Sequence, residues 1–304
     1  MRRRIIVLWF VLLCSVLPVQ AQEDPVISAP VDSRTGTAYS LEWSPNGDVL
    51  AVGSGYEIMI YPADLGAPLL VIEAGEIVNI TWSADGTRLV SAGGYRNPEI
   101  RLWAWDSDTN TLTPAAALDG NDPALGADLR SRNQYVVAWS SQDLLASMAD
   151  DRIMRVQVWD PLAAEFKSGF EVLYTFPLRE LVWNANGTAL IGAGQRPNEE
   201  SFVLISMDLE GNVTELLDLP EDTAAFTLSP DQTQIALIAN GGLVTILDLV
   251  SGDNVLSFQS GVTEPVGLSW HPDGDRLALL NYKVEDNDNA LEIWDISAIN
   301  EDSF

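Results

Sequence analysis

The sequence predicts an all-β protein built from six similar repeats, and three observations support this. A phrase made of an apolar run, a tight turn and a second apolar run recurs along the chain, most clearly as LSWHPDGDRLALL at 268–280. Its turn anchors stand at spacings of 39, 57, 44, 45 and 42 residues, at Trp43, Trp82, Trp139, Trp183, Leu228 and Trp270. No stretch of 12 or more residues has an amphipathic helical period. Repetition at this period indicates a repeat architecture.

Each repeat contains up to four strand-sized apolar runs separated by turn residues, which is the size of a β-propeller blade. We predict a propeller domain over residues 22–304, with blades at about 36–75, 76–120, 134–178, 179–220, 221–261 and 262–299. The sixth repeat ends after its third strand, and an unpaired sheet edge is unfavourable. The apolar run at 25–31 is therefore predicted to supply the missing strand and close the ring. A seventh blade hidden within 107–134 is the alternative.

The repeats resemble those of the WD-repeat β-propeller family. Trp159-Asp160 and Trp294-Asp295 match the dipeptide that ends the third strand of its blades, and the Ser-Pro-Asn-Gly and His-Pro-Asp-Gly turns are similar. The family's Gly-His dipeptide is absent, and His271 is the only histidine in the chain. The buried Asp-His-Ser-Trp hydrogen-bond network typical of intracellular members is therefore not expected to form. The resemblance implies a scaffold of the secreted bacterial kind.

Residues 1–21 have the layout of a secretory signal peptide. Three arginines precede an apolar run at 5–17, and small residues follow before a cleavage site after Ala21. The run is shorter than the roughly 20 residues that a membrane span needs. We expect a secreted or periplasmic protein that does not insert into a membrane after cleavage, with an uncleaved anchor as the alternative. A lipidated Cys14 is disfavoured because bulky Leu13 precedes it.

Composition excludes several classes of site and partner. Cys14, the single cysteine, lies in the predicted signal peptide, so neither disulfides nor thiolate zinc sites are expected in the processed chain. The net charge is −28, and three of the 16 basic residues lie in the first 21 positions. Such a surface repels nucleic acid and anionic lipid headgroups, and favours a soluble, monomeric domain.

No catalytic arrangement stands out in the sequence. His271 sits in a turn between Trp270 and Pro272, where turn chemistry explains it, and none of the 44 acidic residues is singled out as a pair. No cofactor is expected. Calcium is an alternative at the oxygen-rich segments 106–110 and 285–289, although both suit ordinary solvated loops. The tryptophans are expected to pack between blades rather than to stack against sugars.

One face of the predicted ring carries a candidate binding surface. The loops between second and third strands all lie on this face and hold four basic residues and three tyrosines: Tyr56, Tyr95, Arg96, Arg152, Arg196, Tyr282 and Lys283. Arginine and tyrosine often anchor interfaces. We predict a non-catalytic scaffold that binds an unidentified protein segment or an anionic ligand here. The competing interpretation is that each arginine pairs with a nearby acid such as Glu99, Asp151 or Glu199. An enzyme or glycan-binding protein using carboxylates at the channel mouth is the alternative function.

Overall fold

Six four-stranded antiparallel sheets form the computed structural model, which describes residues 25, 27–31, 37–93, 99–119, 134–150, 154–174, 180–196, 201–282 and 289–299. The prediction of a six-bladed β-propeller is confirmed, because the strands of the described residues pair into six four-stranded sheets. Within these ranges no helix has the length and hydropathy required to cross a membrane.

Five blades are continuous in sequence, and each is a meander running from the innermost strand outward. Blade 1 has β2 (Ala38–Trp43), β3 (Val49–Ser54), β4 (Glu57–Pro62) and β5 (Leu70–Glu73). Blade 2 has β6 (Asn79–Trp82), β7 (Arg88–Ala92), β8 (Glu99–Asp106) and β9 (Thr111–Asp119). Blade 3 has β10 (Gln134–Trp139), β11 (Leu145–Asp150), β12 (Met154–Asp160) and β13 (Glu165–Val172). Blade 4 has β14 (Leu181–Trp183), β15 (Ala189–Gln195), β16 (Phe202–Asp208) and β17 (Val213–Leu219). Blade 5 has β18 (Thr223–Leu228), β19 (Gln234–Ala239), β20 (Leu243–Asp248) and β21 (Asn254–Gln259).

Blade 6 closes the ring with a strand from the other end of the chain. It contains β22 (Pro265–Trp270), β23 (Arg276–Asn281) and β24 (Asn289–Asp295), and its outer strand is β1 (Ile27–Val31). β1 pairs antiparallel with β24, with Ile27 opposite Ile293 and Val31 opposite Asn289. The predicted closing strand is confirmed. It covers the edge of β24, which would otherwise present unpaired backbone groups.

The turn between the first and second strands has the same construction in most blades. In blade 1 the Ser44 hydroxyl donates to the Asn46 side chain at 2.7 Å, and the Gly47 N–H donates to the Ser44 carbonyl. Gly47 has a φ of 74°, which glycine adopts without the steric cost that a Cβ brings. Ser83 with Asp85 and Ser229 with Asp231 repeat the side-chain contact. The recurring turn phrase therefore encodes a recurring hydrogen-bonded corner.

Six apolar clusters fill the space between neighbouring blades, as the repeat-equivalent tryptophans predicted. Trp43, Trp82, Trp183 and Trp270, at the ends of inner strands, are each at most 7% exposed. A large aromatic side chain at this position packs against both its own blade and the preceding one. The core is thus a ring of interfaces with no single centre.

Two blades contain the tryptophan–serine hydrogen bond of the Asp-His-Ser-Trp network, although the single histidine of the chain lies in a turn. The Trp103 indole N–H donates to the Ser91 hydroxyl at 2.9 Å, and Trp159 donates to Ser147 at 3.0 Å; all four side chains are buried. In blade 6, Trp294 donates instead to Glu292 at 2.8 Å. The tryptophan–serine half of the network therefore persists in blades 2 and 3, where a serine on the second strand supplies the acceptor.

Candidate functional site

The inner strands of all six blades surround a channel that contains a cavity of about 250 Å³. The lining residues lie along the inner strands. In blade 1 they run from Tyr39, near the start of the strand, to Glu42, one residue before its end. Ala38, next to Tyr39, pairs with Ser54 at the entry to the β3–β4 loop. The end of the channel at Tyr39 therefore lies on the same face as the loops between second and third strands, which we name the loop face.

Each inner strand pairs on one edge only, and neighbouring side chains bond part of its free edge. The Ser269 hydroxyl accepts the Trp43 N–H at 3.2 Å, and the Asn79 side chain accepts the Val137 N–H at 2.9 Å. Ser40 likewise accepts the Ile80 N–H at 3.2 Å. A buried N–H without an acceptor is costly, so these polar residues explain how the inner edges are stabilised.

Glu42 in blade 1 takes part in this edge bonding. One carboxyl oxygen accepts the Trp82 N–H at 2.9 Å, and the other lies 3.5 Å from the Thr81 hydroxyl. Burial raises the pKa of Glu42 to about 8, against the opposing effect of these hydrogen bonds. The side chain is half-buried and lines the cavity. Glu42 therefore retains a proton at neutral pH while serving as an acceptor.

Glu180, immediately before β14 in blade 4, is the second carboxyl group of the channel. It makes no hydrogen bond to the part of the chain that the structure describes. Burial raises its pKa well above the ordinary value, and the charge of Glu42 raises it further. Because blades follow one another around the ring, blades 1 and 4 stand on opposite sides of the channel. The two carboxyl groups thus face a shared space from opposite walls.

The rest of the described cavity lining contains no acidic or basic residue. Among its described residues, Tyr39 is the only other titratable side chain, and Ser40, Asn79, Thr81, Thr227 and Ser269 supply hydroxyl or amide groups. Within the described ranges no three His, Cys, Asp or Glu side chains gather as a metal site would require. The arrangement offers acceptors and latent negative charge to a ligand that can donate hydrogen bonds.

The predicted binding surface is only partly within the described residues. Tyr56 lies in the β3–β4 loop and is 46% exposed, Tyr282 follows β23 and is half-buried, and Arg196 follows β15. All three are on the loop face, Tyr56 and Tyr282 on adjacent blades and Arg196 across the ring. Tyr95, Arg96, Arg152 and Lys283 lie outside the described residues.

Arg196 is held by acids on the outermost strand of its own blade. Its guanidinium donates to both carboxyl oxygens of Glu215, at 3.0 and 2.8 Å, and to Asp218 at 2.6 Å. The Tyr174 hydroxyl donates to Glu215 at 2.9 Å. Arg196 therefore sits at the outer rim with its charge compensated by Glu215 and Asp218, as the ion-pair interpretation anticipated for the arginines of this face. Glu199, the acid predicted for it, lies outside the described residues.

Sequence reasoning did not single out Tyr39, Glu42 or Glu180. A usable signal was present: aligned on the turn anchor, these residues fall four, one and three positions before it, in the strand that lines the channel. At the position of Glu42 the other repeats have Thr81, Ala138, Val182, Thr227 and Ser269. Glu42 is thus the one carboxylate at a position where the other five repeats have a small or apolar residue. Such a departure from the repeat indicates a residue that the fold alone does not require.

The predicted calcium segment at 106–110 forms a compact turn between β8 and β9. The Asp106 carboxylate accepts the N–H groups of Asp108 and Thr109 at 2.9 and 3.3 Å, and these bonds lower its pKa together with the Thr109 hydroxyl. This accounts for the turn without a cation. The second segment lies almost wholly outside the described residues.

Comparison with known proteins gives relatives at the level of fold and repeat. No family model matches the chain. It is 28% identical over 225 residues to "Protein HIR1" from two strains of Cryptococcus neoformans, a match that covers 64% of this chain and 23% of that protein. The chain thus corresponds to about a quarter of the length of these relatives. Among solved structures, Kuenenia stuttgartiensis hydrazine synthase aligns with a TM-score of 0.61 at 14% identity, covering 86% of this chain and 96% of that one. The latter similarity shows a shared fold.

Proposed function

We propose that this protein is a non-catalytic binding module of the WD-repeat type, which holds a protein partner on its loop face outside the cytoplasm. The observation that carries the proposal is the channel mouth on that face, where Tyr39 and Tyr56 are 43% and 46% exposed. Exposed aromatic side chains beside a concave opening are the features that typically anchor a protein interface.

Membership of the WD-repeat class is supported by three features that have different origins. The Trp-Asp dipeptides stand at the ends of β12 and β24, the third strands of their blades. Buried tryptophan–serine bonds occur in blades 2 and 3. The similarity to "Protein HIR1" extends over 225 residues, which is longer than a single repeat. The signal-like segment at 1–21 supports a secreted or periplasmic location.

The alternative function is catalysis by the channel carboxyl groups, and the raised pKa values of Glu42 and Glu180 favour it. A general acid must be oriented toward the atom that receives its proton. Glu42 is oriented toward the backbone of blade 2 instead, and Glu180 has no orienting hydrogen bond within the described residues. We therefore favour binding over proton transfer as the role of the channel.

A cross-linking pull-down from the native envelope fraction tests the proposal. The wild-type protein is compared with a loop-face variant (Y39S/Y56S/Y282S) and with a control on the opposite face (L162S/V250S), where both side chains are exposed in loops between third and fourth strands. We expect a partner that wild type and control capture and the loop-face variant loses. Equal capture by all three proteins would overturn the assignment of the face, and capture by none would overturn the binding role.

The predicted basic residues are tested in the same experiment with a second variant (R96A/R152A/R196A/K283A). Because Arg196 is compensated by Glu215 and Asp218, we expect this variant to lose less of the partner than the tyrosine variant does. A complete loss in this variant alone would show that an anionic partner is held by the basic residues.

A further inference from the structure

We propose that the channel binds a primary ammonium group between Glu42 and Glu180, so that a lysine side chain of the partner enters the mouth of the loop face. This inference rests on the proposed function and specifies the chemistry of its partner. It starts from a cavity with two carboxyl groups on opposite walls, one of which has no hydrogen bond within the described chain.

The geometry favours a donor that can bond in several directions. Glu42 lines the cavity from blade 1, where its carboxyl also accepts the Trp82 N–H, and Glu180 lines it from blade 4. Asn79 and Thr227 belong to the same lining. An ammonium carries three N–H donors arranged around a point charge, which suits acceptors on opposite walls. A planar guanidinium pairs best with a single carboxylate through two parallel bonds.

Charge selects the same ligand. The described lining contains two carboxyl groups and no basic side chain, and the chain carries a net charge of −28. An anion in this cavity would lack a compensating charge and would be repelled by any ionised glutamate. A metal ion would find only two carboxyl groups, since no third acidic side chain, histidine or cysteine joins them within the described ranges.

The aromatic rim provides the remaining contact surface. Tyr39 lines the cavity and is exposed at its mouth, where its ring can lie beside the methylene chain or the charged end of a lysine. Tyr56 lies farther out on the same face. The channel would therefore hold the charged end of the side chain while the rim contacts the partner backbone.

Binding is coupled to ionisation of the two glutamates. Because burial raises the pKa of both carboxyl groups, an incoming ammonium that gains an opposite charge there is expected to release a proton. The titratable groups that face the ligand from the described lining are Glu42, Glu180 and Tyr39. Affinity is therefore expected to increase as the pH rises toward 8, by up to about tenfold per pH unit for one released proton.

Isothermal titration calorimetry of the purified, cell-processed protein tests the site. The probes are a capped Ala-Lys-Ala peptide, the same peptide with acetylated lysine, and n-butylammonium, each at 0.15 M salt. We expect the first to bind, the acetylated peptide not to bind, and E180Q to weaken binding by roughly 30-fold or more, as loss of one partner of a buried charge pair does. The control E73Q/E210Q removes two exposed carboxylates far from the channel and should bind as wild type does.

The two ammonium probes distinguish the source of the ligand. Binding of the peptide alone supports a lysine of a protein segment, and binding of both probes supports a general ammonium site that a lysine can use. Binding of n-butylammonium alone retains the site and overturns its use by a protein partner. Absence of binding by either probe, or unchanged binding in E42Q/E180Q, overturns the proposal.

Two measurements keep the test valid if E180Q fails to fold. E42Q keeps an oxygen acceptor for the Trp82 N–H, and the pH dependence of wild-type affinity requires no variant at all. Affinity that is constant between pH 6 and pH 8 would contradict the site. If E42Q/E180Q still captures the partner while Y39S/Y56S/Y282S does not, the ammonium site fails and the proposed function stands.

Discussion

The imidazole of His271 joins the last blade to the first: its Nε2 lies 3.1 Å from the carbonyl oxygen of Gly47, 224 residues away in the sequence. Nδ1 lies 3.1 Å from the Asp273 N–H and 2.8 Å from the Asp273 carboxylate, and the Arg276 guanidinium lies 2.8 Å from Nε2. The ring also packs edge-on against Trp43, with centroids 4.7 Å apart. The ring of blades is therefore closed twice, by β1 at the rim and by this histidine near the inner strands.

This contact predicts a coupling between Gly47 and His271 that thermal unfolding can measure. A Cβ on residue 47 would lie only 2.3 Å from the His271 Nε2, and the φ of 74° adds strain of about 1–2 kcal/mol for any residue with a side chain. We expect G47A to destabilise the wild type more than it destabilises H271A, with a coupling of roughly 0.5–3 kcal/mol.

The matched control for this cycle is Gly274, in the equivalent turn of blade 6. Its φ is 85°, but a Cβ there meets no atom within 4 Å. G274A should therefore lower the free energy of unfolding only by the backbone strain. Equal losses for G47A and G274A, or an additive double mutant, would show that the histidine contact does not constrain the turn.

The closing strand predicts a sharp difference between two substitutions in β1. Val31 is 2% exposed, whereas Ser28 in the same strand faces solvent. V31N buries an amide without a partner against blades 1 and 6 and should cost about 2 kcal/mol or more, while S28N, which places no charge opposite Glu292, should change the free energy of unfolding by less than about 0.5 kcal/mol. Denaturant unfolding of both variants gives the comparison. Similar stability in the two would argue against a packed closing strand.

The channel glutamates predict how stability depends on pH. A carboxyl whose pKa is raised in the folded state binds its proton more tightly there, so it contributes stability below its unfolded pKa that is lost as the pH rises through its folded pKa. For Glu42 this window runs from about 4.5 to about 8. The free energy of unfolding should fall across it, by at most about 1.4 kcal/mol per pH unit for each such group.

Repulsion within an acidic protein acts in the same direction, so the comparison must be made between variants. We expect E42Q/E180Q to show a shallower loss of stability than wild type between pH 5 and pH 8. E73Q/E210Q, which removes the same number of carboxylates from the surface, should keep the steep dependence. Parallel pH profiles for wild type and E42Q/E180Q would show that the channel carboxyls titrate normally.

The tryptophan–serine bonds predict a specific non-additivity. S91A leaves the buried Trp103 N–H without an acceptor and should cost about 1–3 kcal/mol. W103F removes the indole N–H donor, so adding S91A to W103F should lower the free energy of unfolding by much less. Thermal unfolding of the two single variants and the double variant measures the difference. If S91A destabilised W103F as much as it destabilises the wild type, the serine would act through packing alone.

Much of the fold followed from the sequence because the repeats are local. Turn residues such as Asn46 and Gly47 specify their corners through bonds within four or five residues, and the missing strand of blade 6 pointed to 25–31. The inner-strand bonding, as between Glu42 and Trp82, was not predictable because it joins neighbouring blades at a position where each repeat has a different residue. Glu180 was missed for the same reason, since its environment depends on a residue in the opposite blade.

The channel residues of the candidate site were not predicted, but the face of three predicted surface residues was. In a meander, successive connections between strands lie on opposite faces, and this rule placed Tyr56, Arg196 and Tyr282 on one face. The loops that the structure describes agree with that placement. It could not show that Arg196 is bound by Glu215 and Asp218 on the outermost strand. That arrangement depends on the β16–β17 register, which brings the outer strand alongside the loop.

Site-specific photo-cross-linking tests the central claim, that the partner binds at the channel mouth of the loop face. A benzoylphenylalanine is placed at position 39 or 56 on that face, and at position 162 or 250 on the opposite face, and the protein is irradiated in intact cells. We predict one partner adduct from positions 39 and 56, lost when E180Q is added, and none from positions 162 and 250. Adducts from 162 or 250 alone would contradict the account.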